Sequence, residues 1–168
     1  MDKKLKVLIV TVLWGDWHID ALLNVNLRTL LAPGNLPRFA DSHDITYWIH
    51  TRPSERRRIE RAPVVDPIAD LVDLKIEGSL PEDMVSDNIF LVHHRMWTEA
   101  ADYGTKHGML VFNLPPDMAF ADGALDHATE MLRAGKTSIN WAYSRAVAET
   151  FVPELTALGL SVSVTKFM

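Results

Sequence analysis

The stretch Leu5-Lys-Val-Leu-Ile-Val-Thr-Val-Leu13 decides the fold class of this chain. It is rich in Val, Ile and Leu, and its apolar residues barely alternate with polar ones, which is typical of a parallel strand buried on both faces. About ten apolar residues are too few to span a bilayer. No small-residue cleavage site of a signal peptide follows, since Gly15-Asp16 comes next. We therefore interpret this stretch as the first strand of a cytoplasmic α/β protein.

Strand and helix patterns alternate along the rest of the chain. Apolar residues three and four apart between Ile19 and Leu31 predict a helix that Asp16 caps and Pro33-Gly34 ends. Alternation of this kind indicates βαβ units, and hence a three-layer α/β/α, Rossmann-like fold with a mainly parallel or mixed sheet. Further strands are predicted over 44–51, 72–76, 109–114, 137–141 and 160–167, and further helices over 52–61, 86–107, 123–134 and from Ser144 onward.

Length and composition limit the classes of function. The 168 residues predict a single domain over 1–168, and a chain of about 150 residues buries roughly 70% of its unfolded surface. The net charge of −5 argues against a nucleic-acid partner, which favours a basic surface. The absence of cysteine excludes disulfides and thiolate metal sites. The composition is compatible with either a monomer or a homo-oligomer.

Ligands of open α/β sheets bind beyond the carboxyl ends of the strands. At the first such end, Trp14-Gly15-Asp16-Trp17-His18 combines a predicted helix N-terminus, which suits a phosphate, with two tryptophans that can stack on a base. The alternative is structural: the two tryptophans cover the core and Asp16 is only a helix cap. The chain has neither G-x-G-x-x-G nor a P-loop motif, so neither dinucleotide nor P-loop binding is supported.

Two further groups of basic residues are candidates for ligand contacts: the arginines after the second predicted strand, and His93 and His94 in the predicted helix over 86–107. Arg52 ends the second strand and begins an arginine-rich helix, and an arginine fork binds two diphosphate oxygens at once. Most arginines of so short a helix are instead expected in solvent. His93 and His94 are adjacent in a helix, about 100° apart, so they are a poor chelating pair. Either His93 is a core histidine bonded to backbone, or one of the two points into the cleft.

The segment from Met109 to Gly123 carries two candidate acids. An apolar strand runs into Pro115-Pro116-Asp117, so Asp117 lies just past a strand end. There its carboxylate can hold a hard cation together with phosphate oxygens, or accept sugar hydroxyls, and the alternative is an ordinary turn residue. Asp122 precedes the next helix, where it is either the N-cap or a further ligand to the substrate.

These segments together resemble the GT-A type nucleotide-diphospho-sugar transferases, and in particular a poorly described bacterial group of that superfamily. The likeness covers residues 5 to about 150. The stretches that carry it are Val10-Thr-Val-Leu-Trp-Gly-Asp16, Leu30-Leu-Ala-Pro-Gly-Asn-Leu-Pro37, Tyr47-Trp-Ile-His-Thr-Arg52 and Pro116-Asp-Met-Ala-Phe-Ala-Asp-Gly123.

The resemblance implies a glycosyltransferase-like domain that binds a nucleoside diphosphate sugar. Trp14, Gly15 and Asp16 would meet the base, Arg52 the ribose or phosphate, and Asp117 the sugar or a divalent cation such as Mg²⁺ or Mn²⁺. In the family an Asp-x-Asp holds that metal, but here the first of the two positions is Pro115, so the metal site is half missing. Family members also usually continue well beyond this length, which predicts a fragment, a reduced relative or an inactive one.

The sequence leaves two alternatives to a transferase open. The first is a non-catalytic α/β binding or assembly module that keeps the fold without the chemistry, which the missing acid favours. The second is a hydrolase or another α/β enzyme. Against the hydrolase, the sequence lacks a G-x-S-x-G elbow, and no Ser/His/Asp set is apparent in it.

Overall fold

Four parallel strands form the sheet of this protein in a computed structural model that describes residues 4–83, 89–136, 139 and 146–159. The order of the strands is β3-β2-β1-β4, and each neighbouring pair is parallel. The predicted three-layer, Rossmann-like α/β class is thus confirmed, and so is the internal position of the first strand. The strands are β1 (Leu5–Val12), β2 (His43–Thr51), β3 (Asp73–Gly78) and β4 (Leu110–Asn113).

Helices connect the strands and cover both faces of the sheet. None of the helices in the described ranges is long and apolar enough to cross a membrane. The first connection contains one π-helical segment, Leu22–Asn26, between α1 and α2. The α-helices are α1 (Asp16–Ala21), α2 (Leu27–Leu30), α3 (Leu36–Ser42), α4 (Pro53–Glu60), α5 (Val65–Ala69), α6 (Ile89–His107), α7 (Ala124–Arg133) and α8 (Ala148–Ala157).

Side chains of β1 alternate between two apolar cores, because successive residues of a strand point to opposite faces. Val7 and Ile9 face one core, which is completed by α1 to α5 and α7. Leu8 and Val10 face the other core, which is formed with α6 through residues such as Met96. Both faces of β1 are therefore buried, as its unbroken apolar sequence predicts.

Two short helices, α3 and α5, were not predicted from the sequence. Each contains a proline in its first turn, Pro37 in α3 and Pro67 in α5. Proline is tolerated in the first turn of a helix, where backbone N–H groups have no intrahelical partner. The predicted strands over 137–141 and 160–167 lie outside the described residues except for Ile139, as do the predicted helix starts at 86–87 and at Ser144.

Candidate functional site

The carboxyl ends of the four strands meet at one edge of the sheet, because all four are parallel. The chain proceeds from β1 to β2 and β3 on one side, then returns to β4 on the other side of β1. Ligands of open α/β sheets bind where the strand order reverses in this way. The edge between β1 and β4 is accordingly the candidate site.

A buried hydroxyl pair fixes the strand ends at this edge. The Thr11 hydroxyl lies 2.9 Å from the Leu114 carbonyl, to which it donates, and 2.9 Å from the hydroxyl oxygen of Tyr47. Burial raises the pKa of Tyr47 to about 12. The phenol is therefore protonated at neutral pH and donates to Thr11, which links β1, β2 and the residue after β4 through two hydrogen bonds.

An aromatic and histidine cluster covers the end of β1. Trp14 is half-buried, and its ring meets that of His93 edge-on with centroids 5.2 Å apart. The ring centroid of His93 also lies 5.4 Å from that of Trp97. On the α1 side, the ring centroid of His18 lies 6.5 Å from that of Trp14. Burial lowers the pKa of His93, and the nearby His18 lowers it further. At neutral pH the His93 ring is therefore uncharged, and together with Trp14 it forms an aromatic surface at the end of β1.

Trp17 and His94, the neighbours of this cluster in sequence, are more exposed than Trp14 and His93. Trp17 is 57% exposed, and its ring meets His18 edge-on at 4.8 Å. His94 is exposed and lies outside this ring cluster, while its carbonyl accepts a hydrogen bond from the Thr98 hydroxyl. The structure therefore brings His93, and not His94, to Trp14.

A glutamate that we did not predict organises the turn after β1. One carboxylate oxygen of Glu55 accepts the Gly15 N–H at 2.7 Å, and the other accepts the Thr51 hydroxyl at 3.1 Å. The Arg52 guanidinium lies 3.9 Å from the same carboxylate. Gly15 has a φ of 79°, which favours glycine. The Gly15 N–H, which belongs to the segment predicted to meet the base, is thus engaged by a carboxylate of the chain itself.

Asp16 is not the helix cap that its position after β1 predicts. Gly15 is the N-cap of α1, and Asp16 is the first helical residue, with a side chain that is 92% exposed. Its carboxylate forms an ion pair with Arg58, whose other nitrogen bonds Asp20 at 2.7 Å. The Asp16 carboxylate binds the guanidinium, and not the backbone N–H groups of its own helix, because Arg58 of α4 lies next to the start of α1. The ion pair thereby connects the two helices.

The loop after β4 is held down by buried polar groups of the first connection. Asn26 donates to the carbonyls of Pro115 and Met118 at 3.0 and 3.1 Å. The amide of Asn35 donates to the Ala121 carbonyl at 3.0 Å, and its oxygen accepts the Leu125 N–H at 3.2 Å. Such bonds between distant segments cannot be inferred from local sequence, although the two asparagines lie among apolar residues and so are candidates for buried polar groups.

Asp122 is likewise not the N-cap of α7. The N-cap is Gly123 in a left-handed conformation, and the Asp122 carboxylate instead accepts the Gly34 N–H at 2.6 Å. A Cβ at position 34 would lie 2.8 Å from that carboxylate oxygen, so the close approach of the two loops requires glycine there. Asp122 therefore has a structural role in joining the two loops.

Asp117 is exposed in the loop that follows β4. In the described part of the chain, no group of three or more His, Asp or Glu side chains is arranged to hold a metal ion. Asp117 therefore belongs to no such group among the described residues.

Comparison with protein families, with curated proteins and with solved structures found no match to this chain. The class that the fold defines is a Rossmann-like α/β protein, and the candidate site lies at the carboxyl ends of β1, β2 and β4.

The position of Glu55 leads to a prediction about stability. Glu55→Ala removes the acceptor of the Gly15 N–H and of the Thr51 hydroxyl, and should lower the free energy of unfolding by about 2 kcal/mol. The matched control is Glu60→Ala on the same helix, which loses only an exposed pair with Arg56 and should change stability by less than about 0.5 kcal/mol. Urea unfolding measures both. Equal effects of the two variants would contradict the role given to Glu55.

Proposed function

We propose that this chain binds a nucleoside diphosphate sugar at the carboxyl edge of its sheet and transfers the sugar to an acceptor, as a GT-A type glycosyltransferase does. The observation that carries the proposal is the aromatic surface of Trp14 and His93 at the point where the strand order reverses. The half-buried Trp14 ring, with the uncharged His93 ring edge-on against it, suits a nucleobase at this place. Stacking of a base on an aromatic side chain contributes about 1–3 kcal/mol.

Arg52 is the proposed partner of the diphosphate. Its side chain is partly buried, with 22% exposure, at the end of β2, the strand that pairs with β1. A guanidinium can bind two phosphate oxygens at once. Because Glu55 engages the Gly15 N–H, we assign the diphosphate to Arg52 and not to the backbone N–H of Gly15.

Asp117 is the proposed contact to the sugar. β4 pairs directly with β1, so the loop that carries Asp117 begins beside the end of β1, which Trp14 follows two residues later. In the transfer step, an acceptor hydroxyl forms a bond to the anomeric carbon while the bond from that carbon to the diphosphate breaks. The acceptor proton goes to a base, and the diphosphate leaves as an anion that Arg52 stabilises.

A non-catalytic binding module is the second candidate, and a specific observation favours it. Asp16 and Asp122, two of the three acids predicted at the edge, bind groups of the chain itself. Only Asp117 is left for a sugar or a cation. Release of nucleoside diphosphate from a nucleotide sugar distinguishes the two candidates, since the binding module releases none.

The base surface can be tested by titration with nucleotides. UDP or GDP should bind more tightly than AMP, because the diphosphate adds its contacts to those of the base. Trp14→Leu keeps apolar packing but loses the ring, and should weaken binding about tenfold. The control is Trp48→Leu on β2, whose ring packs against Tyr103 at 4.7 Å and should leave affinity unchanged. Calorimetry showing no binding of any nucleoside diphosphate, or equal losses in both variants, would contradict the proposal.

Metal dependence gives a separate prediction. Because Asp16 and Asp122 bind groups of the chain itself and Arg52 supplies a positive charge, donor binding should persist in EDTA. Asp117→Asn should reduce the difference in affinity between a nucleotide sugar and its free diphosphate, since it removes the anionic acceptor of the sugar hydroxyls. Loss of binding in EDTA with recovery in Mn²⁺ would show that a cation completes the site after all.

A further inference from the structure

A serine and a histidine meet at the ends of β3 and β2. The Ser79 hydroxyl oxygen lies 2.8 Å from Nδ1 of His50. His50 is only 6% exposed, whereas Ser79 is exposed. The pair therefore combines an accessible hydroxyl with a shielded imidazole, and it is a Ser/His set that the sequence did not reveal, because 29 residues separate the two.

The backbone on both sides of Ser79 is fixed. Gly78 packs against the start of α4 so closely that a Cβ there would lie 2.7 Å from Cα of Pro53. On the other side, Leu80 is buried and its N–H donates to the Thr51 carbonyl at 3.1 Å. A reactive group held by a rigid segment keeps its geometry, which nucleophilic catalysis requires.

The electrostatics around His50 suit a general base. Burial lowers the pKa of His50, so its imidazole is neutral at neutral pH. In the tautomer that carries its proton on Nε2, the Ser79 hydroxyl donates to Nδ1. Glu77 lies 3.9 Å from the same nitrogen, and both Glu77 and Glu99 on α6 act to raise the pKa of His50. These carboxylates therefore favour the imidazolium that forms when the ring accepts a proton.

We propose that Ser79 is a nucleophile activated by His50 and that the pair performs acyl transfer from carboxylic esters. The Ser79 oxygen forms a bond to the ester carbonyl carbon while its proton moves to Nδ1 of His50. The bond to the alcohol oxygen then breaks, and the alcohol leaves with the proton from His50. Water, deprotonated by His50, releases the carboxylic acid and restores the Ser79 hydroxyl.

Labelling of the full chain with a fluorophosphonate tests this proposal, because an activated serine displaces fluoride from phosphorus. Intact mass and peptide mapping should find one adduct, on Ser79. Ser79→Ala should abolish it, and His50→Gln should slow labelling about a hundredfold, the lower end of the usual contribution of a general base. The control is Ser54→Ala, since Ser54 is an exposed serine whose hydroxyl donates to Glu82 at 2.7 Å, and it should label as the wild type does.

The pH dependence of labelling gives a second readout that does not depend on a variant folding. The labelling rate should rise with pH as His50 loses its proton, with a midpoint below 6.5, and then level off. Glu77→Gln should move that midpoint to lower pH, because the lost carboxylate raises the pKa of His50. Absence of an adduct, or a rate that climbs tenfold per pH unit through pH 8 without levelling, would overturn the proposal and leave the pair a structural hydrogen bond.

Discussion

The double burial of β1 is the constraint on which the rest of the structure depends. β1 pairs with β2 on one edge and with β4 on the other, and its side chains enter both apolar cores. A strand in this position can be neither shifted nor turned over without exposing apolar groups on one face. It therefore fixes where its own carboxyl end lies, and with it the positions of Trp14 and Gly15. Thr11 extends the constraint to the strands on both sides through its bonds to Tyr47 and the Leu114 carbonyl.

At this edge, charged side chains connect helices, turns and loops through hydrogen bonds and ion pairs. Glu55 binds the turn after β1 to α4, Arg58 binds α4 to α1, and Asp122 binds the loop after β4 to Gly34. These carboxylates and the guanidinium are thus paired with groups of the chain itself. The proposed ligand contacts are the aromatic surface of Trp14 and His93, the Arg52 guanidinium and the Asp117 carboxylate.

Much of the fold could be predicted from the sequence, because hydrophobic pattern and chain breaks are local signals. The strand at 5–13 and the helix that follows it were predicted within one or two residues except for its cap. The caps at Asp16 and Asp122 were predicted wrongly, since each acid bonds a group distant in sequence that local rules do not consider. Glu55 and the Ser79–His50 pair were missed for the same physical reason. Their partners come together only when β1, β2 and β3 align.

The central claim is that a nucleoside diphosphate binds against Trp14 at the end of β1. Two-dimensional NMR of the labelled protein tests it most directly, because each of the five tryptophans gives its own indole N–H signal. On addition of UDP or GDP, the Trp14 indole and the Gly15 backbone amide should shift, while the Trp48 indole stays unchanged. Unchanged Trp14 and Gly15 signals at a millimolar concentration of nucleotide, or shifts confined to other parts of the protein, would contradict the account.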